Sequence, residues 1–370
     1  MTNRENFLRA LRRDNPKWVP FDITLCPFHE ENLRKKLGAH ASGAAASNVT
    51  AAGSVDSKVH FGVPFRYVEP LPTKENIDYS KYYNNLPVNA RPLSWNPDWG
   101  VYSIPGSVAH FEEMLHPMAA FSAVSEIEEY PFPDYDQSYR WESLGLTVRA
   151  LHTNDLASVA FMQMTIFEIA WYLRGMDNFL IDMVEDRDFA ETLLDKITGI
   201  RLGMAEKYAA AGVDVLMLGD DVSTQLAMMM SPPLWRDLLK GRMANIIQKA
   251  KETKPDILIF YHGDGDLQAI IPDLIEIGVD ILNPVQPECM EAVALKKQYG
   301  DKLSFWGTIG TQTTMPFGTP GDVKSLVKRM IVNVGKGGGL VLSPTHTIEP
   351  DVPWENIEAF VSAVKEHGVY

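Results

Sequence analysis

Cysteine is scarce in this chain: Cys26 and Cys289 are the only two in 370 residues. Two thiols cannot build the disulfide framework of a small secreted domain, and they suit a reducing cytoplasm. Long apolar runs are lacking as well, so no segment reads as a membrane span. The opening Met1-Thr2-Asn3-Arg4-Glu5-Asn6 has no apolar centre of the kind a signal peptide needs. Positive charge is in deficit: 34 Lys and Arg against 48 Asp and Glu leave a formal charge of −14, with an isoelectric point near 5.1. That balance excludes an extended nucleic-acid surface and disfavours a highly anionic substrate. No low-complexity stretch divides the chain, no short repeat recurs, and neither a dinucleotide fingerprint nor a hydrolase elbow is present. Lys336-Gly337-Gly338-Gly339 precedes an apolar run instead of opening a helix, so it reads as a turn and not as a phosphate loop. These absences predict a soluble, cytoplasmic protein with residues 1–370 forming one domain.

What the chain does have is a series of short apolar runs, each ending in polar residues. Val213 to Leu218 ends in Gly219-Asp220-Asp221, and Ile257 to Tyr261 ends in His262-Gly263-Asp264-Gly265-Asp266. Val279 to Leu282 leads to Asn283-Pro284-Val285-Gln286, Leu303 to Trp306 to Gly307-Thr308-Ile309-Gly310, and Gly339 to Leu342 to Ser343-Pro344-Thr345-His346. Helix-like stretches follow them, so the runs predict a parallel sheet covered by helices. The expected fold is α/β, a single (β/α)8 TIM barrel with an N-terminal extension. In such a barrel the reactive groups gather where the strands end. Trp18 to Ile23 reads as the first strand, after a helix that Asn3 caps and that runs to about Arg13. Residues 40 to 60 are rich in Ala, Ser and Gly and are left unassigned. From Phe65 to Asp136 the aromatic and Pro-rich pattern, with Trp95-Asn96-Pro97-Asp98-Trp99, predicts hairpins and loops inserted over the barrel mouth.

Several strand-end residues carry chemistry. His262 and Asp264, two apart, can point at one metal ion, as in nitrogen and oxygen ligation of zinc, with His346 as a candidate third ligand. An alternative makes Asp264-Gly265-Asp266 a turn that caps the helix from Leu267. Asp220 and Asp221 follow a strand, and a buried carboxylate there has the raised pKa of a general acid or base. Met228-Met229-Met230 reads as gap-filling core, and Cys289 as a buried apolar thiol.

These residues in this order resemble the uroporphyrinogen decarboxylase superfamily, which consists of (β/α)8 barrels. The resemblance rests on Arg9-Ala10-Leu11-Arg12-Arg13-Asp14-Asn15-Pro16, Leu173-Arg174-Gly175-Met176-Asp177, Ser231-Pro232-Pro233-Leu234-Trp235-Arg236, Asn283-Pro284-Val285-Gln286-Pro287-Glu288 and Trp306-Gly307-Thr308-Ile309-Gly310. Decarboxylases of the superfamily hold an eight-carboxylate tetrapyrrole with arginines after the first strand. Here Asp22-Ile23-Thr24-Leu25-Cys26-Pro27-Phe28-His29 contains none. Zinc methyltransferases of the superfamily work with corrinoid proteins and use a His-x-Cys and a later Cys. In this sequence His262 and Asp264 stand at the first pair, and His346 at the late position. The resemblance therefore implies methyl transfer from a small methylated substrate, such as a methoxylated aromatic, to a corrinoid on a partner protein. Zinc would sit on His262, His346 and either Asp264 or Asp221, and Asp220, Asp221 and His262 would be the catalytic groups. On this reading Asn283, Gln286 and Gln312 orient the substrate, and Phe28, Trp99 and Trp306 hold an aromatic ring. A homodimer is compatible with it. The alternatives are a cofactor-free decarboxylase of a smaller acid that uses Asp220 or Asp221, and a barrel that binds a corrinoid or tetrapyrrole without catalysis.

Overall fold

The computed structural model describes residues 1–38, 56–93, 97–106 and 111–370. Its apolar runs are rich in Val, Ile, Leu and Phe, which favour extended backbone and need cover on both faces. They form a seven-stranded parallel sheet alongside a small three-stranded antiparallel sheet. The strands are β1 (Phe65–Val68), β2 (Arg91–Pro92), β3 (Tyr102–Pro105), β4 (Glu112–Leu115), β5 (Ala157–Phe161), β6 (Val215–Gly219), β7 (Leu258–His262), β8 (Ile281–Asn283), β9 (Ser304–Ile309) and β10 (Leu340–Pro344). The parallel sheet runs β1-β5-β6-β7-β8-β9-β10, in chain order with helices between, and it curls as a TIM barrel does.

The segment after residue 17 takes the eighth place beside β10. Asp22 N–H donates to the Leu342 carbonyl at 3.0 Å, Leu342 N–H to Pro20 at 3.0 Å, and Ile348 N–H to Thr24 at 2.9 Å. The strand expected over Trp18 to Ile23 is therefore only a set of isolated bridges, at Trp18, Phe21 and Leu25. Proline explains the irregularity, because Pro16, Pro20 and Pro27 bring no N–H to a ladder. Among the described residues no ladder joins this segment to β1.

The region from Phe65 to Asp136 needs a correction. Its first four residues are the barrel strand β1, paired with β5 from Phe65↔Ala157 to Val68↔Ala160. Only the remainder is an insertion, with β2, β3 and β4 as its antiparallel sheet. The expectation missed β1 because Phe-Arg-Tyr-Val alternates and does not form a continuous apolar run. Trp95, Asn96 and the unassigned stretch up to residue 55 lie outside the described residues. Ser57–Phe61 is a short helix capped by Asp56.

The helix Asn3–Leu11 closes the N-terminal floor of the barrel. Thr2, not Asn3, caps it, with Oγ1 accepting from the Glu5 N–H. Phe7 packs against Phe65 and Trp306 with ring centroids 5.5 Å apart in each case. Ser304 Oγ donates to the Leu11 carbonyl at 2.6 Å, so the helix is tied to the start of β9. The buried apolar residues form one connected cluster from this floor to the strand ends. Ser231 caps the helix Pro232–Trp235, as its Ser-Pro-Pro sequence predicts. Cys26 is buried and Cys289 half-buried, and both are free. No helix among the described residues is long and apolar enough to cross a membrane.

Candidate metal centre

The end of β6 meets the end of β7 at Gly219, which is paired in register with His262. Gly219 has φ +146°, and a Cβ there would lie 2.1 Å from the His262 carbonyl oxygen. Only glycine permits this approach, which brings Asp220 and Asp221 beside the imidazole.

The two adjacent aspartates separate at this point. Asp220 turns inward, where its carboxylate accepts from the backbone N–H of Ile166 and Glu168 at 3.0 Å. It thereby satisfies amides that open the helix Phe167–Arg174. Burial pushes its pKa up to about 7 against the pull of those amide donors. Asp221 faces the mouth. Its Oδ1 accepts from the Asp264 N–H at 2.7 Å and lies 3.6 Å from His262 Nε2.

Asp264 Oδ1 is 4.0 Å from the same Nε2, and it is buried without a hydrogen-bond partner. Burial raises its pKa, as does the Asp221 charge, while His262 and His346 oppose the rise. Burial alone would lower the pKa of His262. The Asp264 and Asp221 charges and the bond to Asn283 outweigh it and raise the value overall.

Asn283 fixes the imidazole. Its Nδ2 donates to the Trp306 carbonyl at 2.7 Å, which turns its Oδ1 toward His262 Nδ1 at 2.6 Å. Nδ1 is thus the protonated nitrogen, and Nε2 presents its lone pair to the two carboxylates. One nitrogen and two oxygen donors converge here, all within 4.8 Å of one another. A divalent metal ion fits this arrangement, and it would give Asp264 Oδ1 the partner it lacks.

The remaining expected site residues fall in several places. Trp306 lines a cavity of about 280 Å³ with His262, Asn283, Phe161, Phe260 and Tyr67. His346 lines the same cavity from the loop after β10 but is outside the three-donor group, in which Asp221 stands instead. His346 is nevertheless near enough for its charge to act on Asp264. Gln286 is buried and accepts the Gly265 N–H at 2.6 Å, so it shapes the ligand loop. Gln312 pairs with Gln225 at 2.5 Å on an exposed edge. Phe28 is 51% exposed, and Trp99 is fully buried against Phe132, away from this cavity. The three amides expected to orient a substrate are thus all engaged by the protein itself.

Sequence reasoning missed Glu168. It is buried in the helix Phe167–Arg174, accepts the Asp221 N–H at 3.0 Å and takes the Tyr172 hydroxyl at 2.9 Å. Burial, together with the Asp221 and Asp220 charges, pushes its pKa well above the usual carboxyl range. The signal was a lone acid within Ile166-Phe167-Glu168-Ile169-Ala170, an otherwise apolar stretch.

Fold and site together define a TIM barrel with a candidate metal centre at the C-terminal ends of its strands. The family model described as uroporphyrinogen decarboxylase (URO-D) matches residues 105–367, and the chain belongs to that family. It is 29% identical over 195 residues to the methylcobamide:CoM methyltransferase MtaA of Methanosarcina barkeri, covering 53% of this chain and 54% of that one. It is 24% identical over 242 residues to the uroporphyrinogen decarboxylase of Coxiella burnetii, covering 63% of each. The chain thus spans between half and two thirds of the length of these curated relatives. A solved methyltransferase from Methanosarcina mazei has the same fold, with a TM-score of 0.64 over 99% of both chains at 20% identity.

Proposed function

We propose that this protein is a methyltransferase that moves a methyl group from a small methylated molecule, such as a methoxylated aromatic, to a corrinoid carried by a partner protein. The observation that carries the reading is the convergence of Asp221, His262 and Asp264 on one point, with Asp264 Oδ1 buried and without a partner. Although uroporphyrinogen decarboxylases match the chain at similar identity, the likeness to a methylcobamide:CoM methyltransferase supports methyl transfer. So does Asp220, whose carboxylate is spent on backbone amides and is not free to deliver a proton to substrate.

In the proposed site His262 Nε2, Asp221 and Asp264 hold a divalent metal ion, zinc being one that accepts such donors. When bound there, such an ion would supply Lewis acidity to the oxygen or nitrogen that bears the methyl group. Asn283 keeps the His262 lone pair aimed at the site. Asp220 and Glu168 fix the turn that carries Asp221, through the start of the helix Phe167–Arg174 and through the Asp221 N–H respectively. Phe161, Phe260 and Trp306 wall the adjoining cavity and exclude water from the reacting group. Thr24, Tyr67, Ser343, Thr345 and Thr347 bring hydroxyls to that wall.

Elemental analysis of wild type and Asp264→Ala, followed by assay of methyl transfer from a methoxylated aromatic to a reduced corrinoid protein, tests the proposal. Near-stoichiometric metal in wild type, its loss in the variant and a parallel loss of transfer are expected. Wild type without metal, or transfer undiminished in Asp264→Ala, would overturn it.

A further inference from the structure

A second cavity, of about 190 Å³, adjoins the first, and Phe161 and Gln163 stand in the walls of both. Its floor holds two arginines in different electrostatic states. Arg140 is buried and ion-paired with Asp98, and its guanidinium lies over the Tyr135 ring at 3.8 Å. Arg201 is 4% exposed and forms no ion pair among the described residues. Its Nε donates to the Thr165 carbonyl at 3.0 Å and one terminal nitrogen to the Met164 carbonyl at 2.9 Å. The other terminal nitrogen finds only the Met204 sulfur, at 3.3 Å.

A guanidinium carries five N–H groups and stays charged in proteins. Two oxygens and one weak sulfur acceptor therefore leave two of its N–H groups without an acceptor, one on each terminal nitrogen. The Trp99 ring, 5.1 Å from the guanidinium, takes part of the buried charge, and water in the cavity would serve the two free hydrogens without neutralising the rest. Asp220 is near enough for its charge to act on Arg201 but forms no ion pair with it among the described residues, its oxygens being occupied by the Ile166 and Glu168 amides. Glu69, the other carboxylate on the wall besides Asp98, is exposed. An oxyanion entering the cavity would meet a paired set of N–H donors with no competing carboxylate on them.

We propose that this second cavity binds a carboxylate-type oxyanion of the methyl donor, with Arg201 as its counter-ion, so that the substrate class is small methylated acids. The proposal rests on the methyl-transfer reading for its link to the first cavity. The division of labour follows from the charges: the metal centre takes the neutral methyl-bearing end, and Arg201 takes the anionic end.

Calorimetric titration of the full chain with 4-methoxybenzoate and its neutral amide tests this directly on wild type. The acid is expected to bind about tenfold more tightly or better, the margin of one charge-assisted bidentate contact. Equal affinities, or no binding by either compound, overturn it. Arg201→Met should erase the preference. Because Arg201 also ties down Met164 and Thr165, Met204→Glu serves as a second variant that keeps the guanidinium and sets a carboxylate beside it. That variant should lose acid binding and retain amide binding, and a retained acid preference in either folded variant overturns the assignment. Acid preference without methyl transfer would leave this site standing and sink the methyl-transfer proposal. Transfer without acid preference would do the reverse.

Discussion

Two histidine–aspartate clusters sit at opposite ends of the barrel, and they are finished differently. At the floor, Asp214 accepts from His152 Nε2 at 2.9 Å, from the Ser158 N–H at 2.9 Å and from Arg4 Nε at 3.1 Å. Its charge is balanced, and its oxygens are all in use. At the mouth, Asp221, His262 and Asp264 converge, and Asp264 Oδ1 has no partner. Both clusters put the same residue types near the ends of neighbouring strands, so residue type does not separate structure from function. What separates them is whether the polar atoms are satisfied within the chain. The floor cluster is complete and spends its energy on folding. The mouth cluster keeps one buried oxygen without a hydrogen-bond partner, at the place where the proposed metal ion would bind.

The largest effect should come from removing a mouth ligand. Asp264→Ala or His262→Ala should strip the metal and cost about 4 kcal/mol of transition-state stabilisation, roughly a thousandfold in rate. The metal-free fold of Asp264→Ala should hold, because Asp264 lies on the loop after β7, and removal of its unpaired buried carboxylate should leave the melting temperature unchanged or higher. A large drop in metal-free melting temperature would make the mouth a structural cluster like the floor and break the contrast. The complementary change, Asp214→Asn, should cost about 2–4 kcal/mol of stability by leaving Arg4 and His152 without their carboxylate. Urea denaturation reads that loss, and metal content should stay at the wild-type level. Unchanged stability would show that the floor cluster does not carry the fold.

A finer test concerns the device that has no counterpart at the floor, the Asn283 bond to His262 Nδ1. Asn283→Leu should weaken metal affinity by about 10- to 100-fold without removing any ligand. Competition with a chromogenic chelator would measure it. Affinity within a few-fold of wild type would mean that the imidazole is oriented by packing alone.

Much of this was legible in the sequence because of one regularity, buried parallel strands ending in polar residues. The strands β6 to β10 follow it, and with them came His262, Asp264 and the aspartate pair. β1 was hidden because Phe65-Arg66-Tyr67-Val68 alternates, and the N-terminal segment because its prolines break the ladder that defines a strand. The choice of Asp221 over Asp220 was not legible, since it depends on which carboxylate the Ile166 and Glu168 amides capture across the fold. His346 follows a strand as Asp264 does and lines the same cavity, and it stands outside the donors that lie within 4.8 Å of one another. Glu168 was marked only by the apolar residues on either side of it, and Arg201 lies in a helix, where polar residues are ordinarily solvated, so nothing in its spacing marked it as buried. Two of the amides expected to orient a substrate, Asn283 and Gln286, do stand near the site, but each is consumed in holding it.

The smallest and most discriminating effect concerns the pair Gln286 and Gln312, which sequence alone placed in the same role. Gln286 is buried and takes the Gly265 N–H, and Gly265 itself sits at φ +89° with no room for a Cβ beside the Thr224 carbonyl. That single bond helps to hold the loop that bears Asp264. Gln286→Ala would leave a buried amide N–H unsatisfied, at about 1–3 kcal/mol, and the loosened loop should release metal faster. Gln312 bonds only Gln225 on an exposed edge, so Gln312→Ala should change stability by less than about 0.5 kcal/mol and leave metal dissociation as it was. Metal off-rates measured side by side on the two variants decide the matter. Equal off-rates would show that the loop is held by its backbone bonds alone, such as Gly263 N–H to the Asn283 carbonyl at 3.0 Å and Asp266 N–H to Thr224 at 2.9 Å. The unfinished state of the mouth would then need no side chain beyond its own ligands to maintain it.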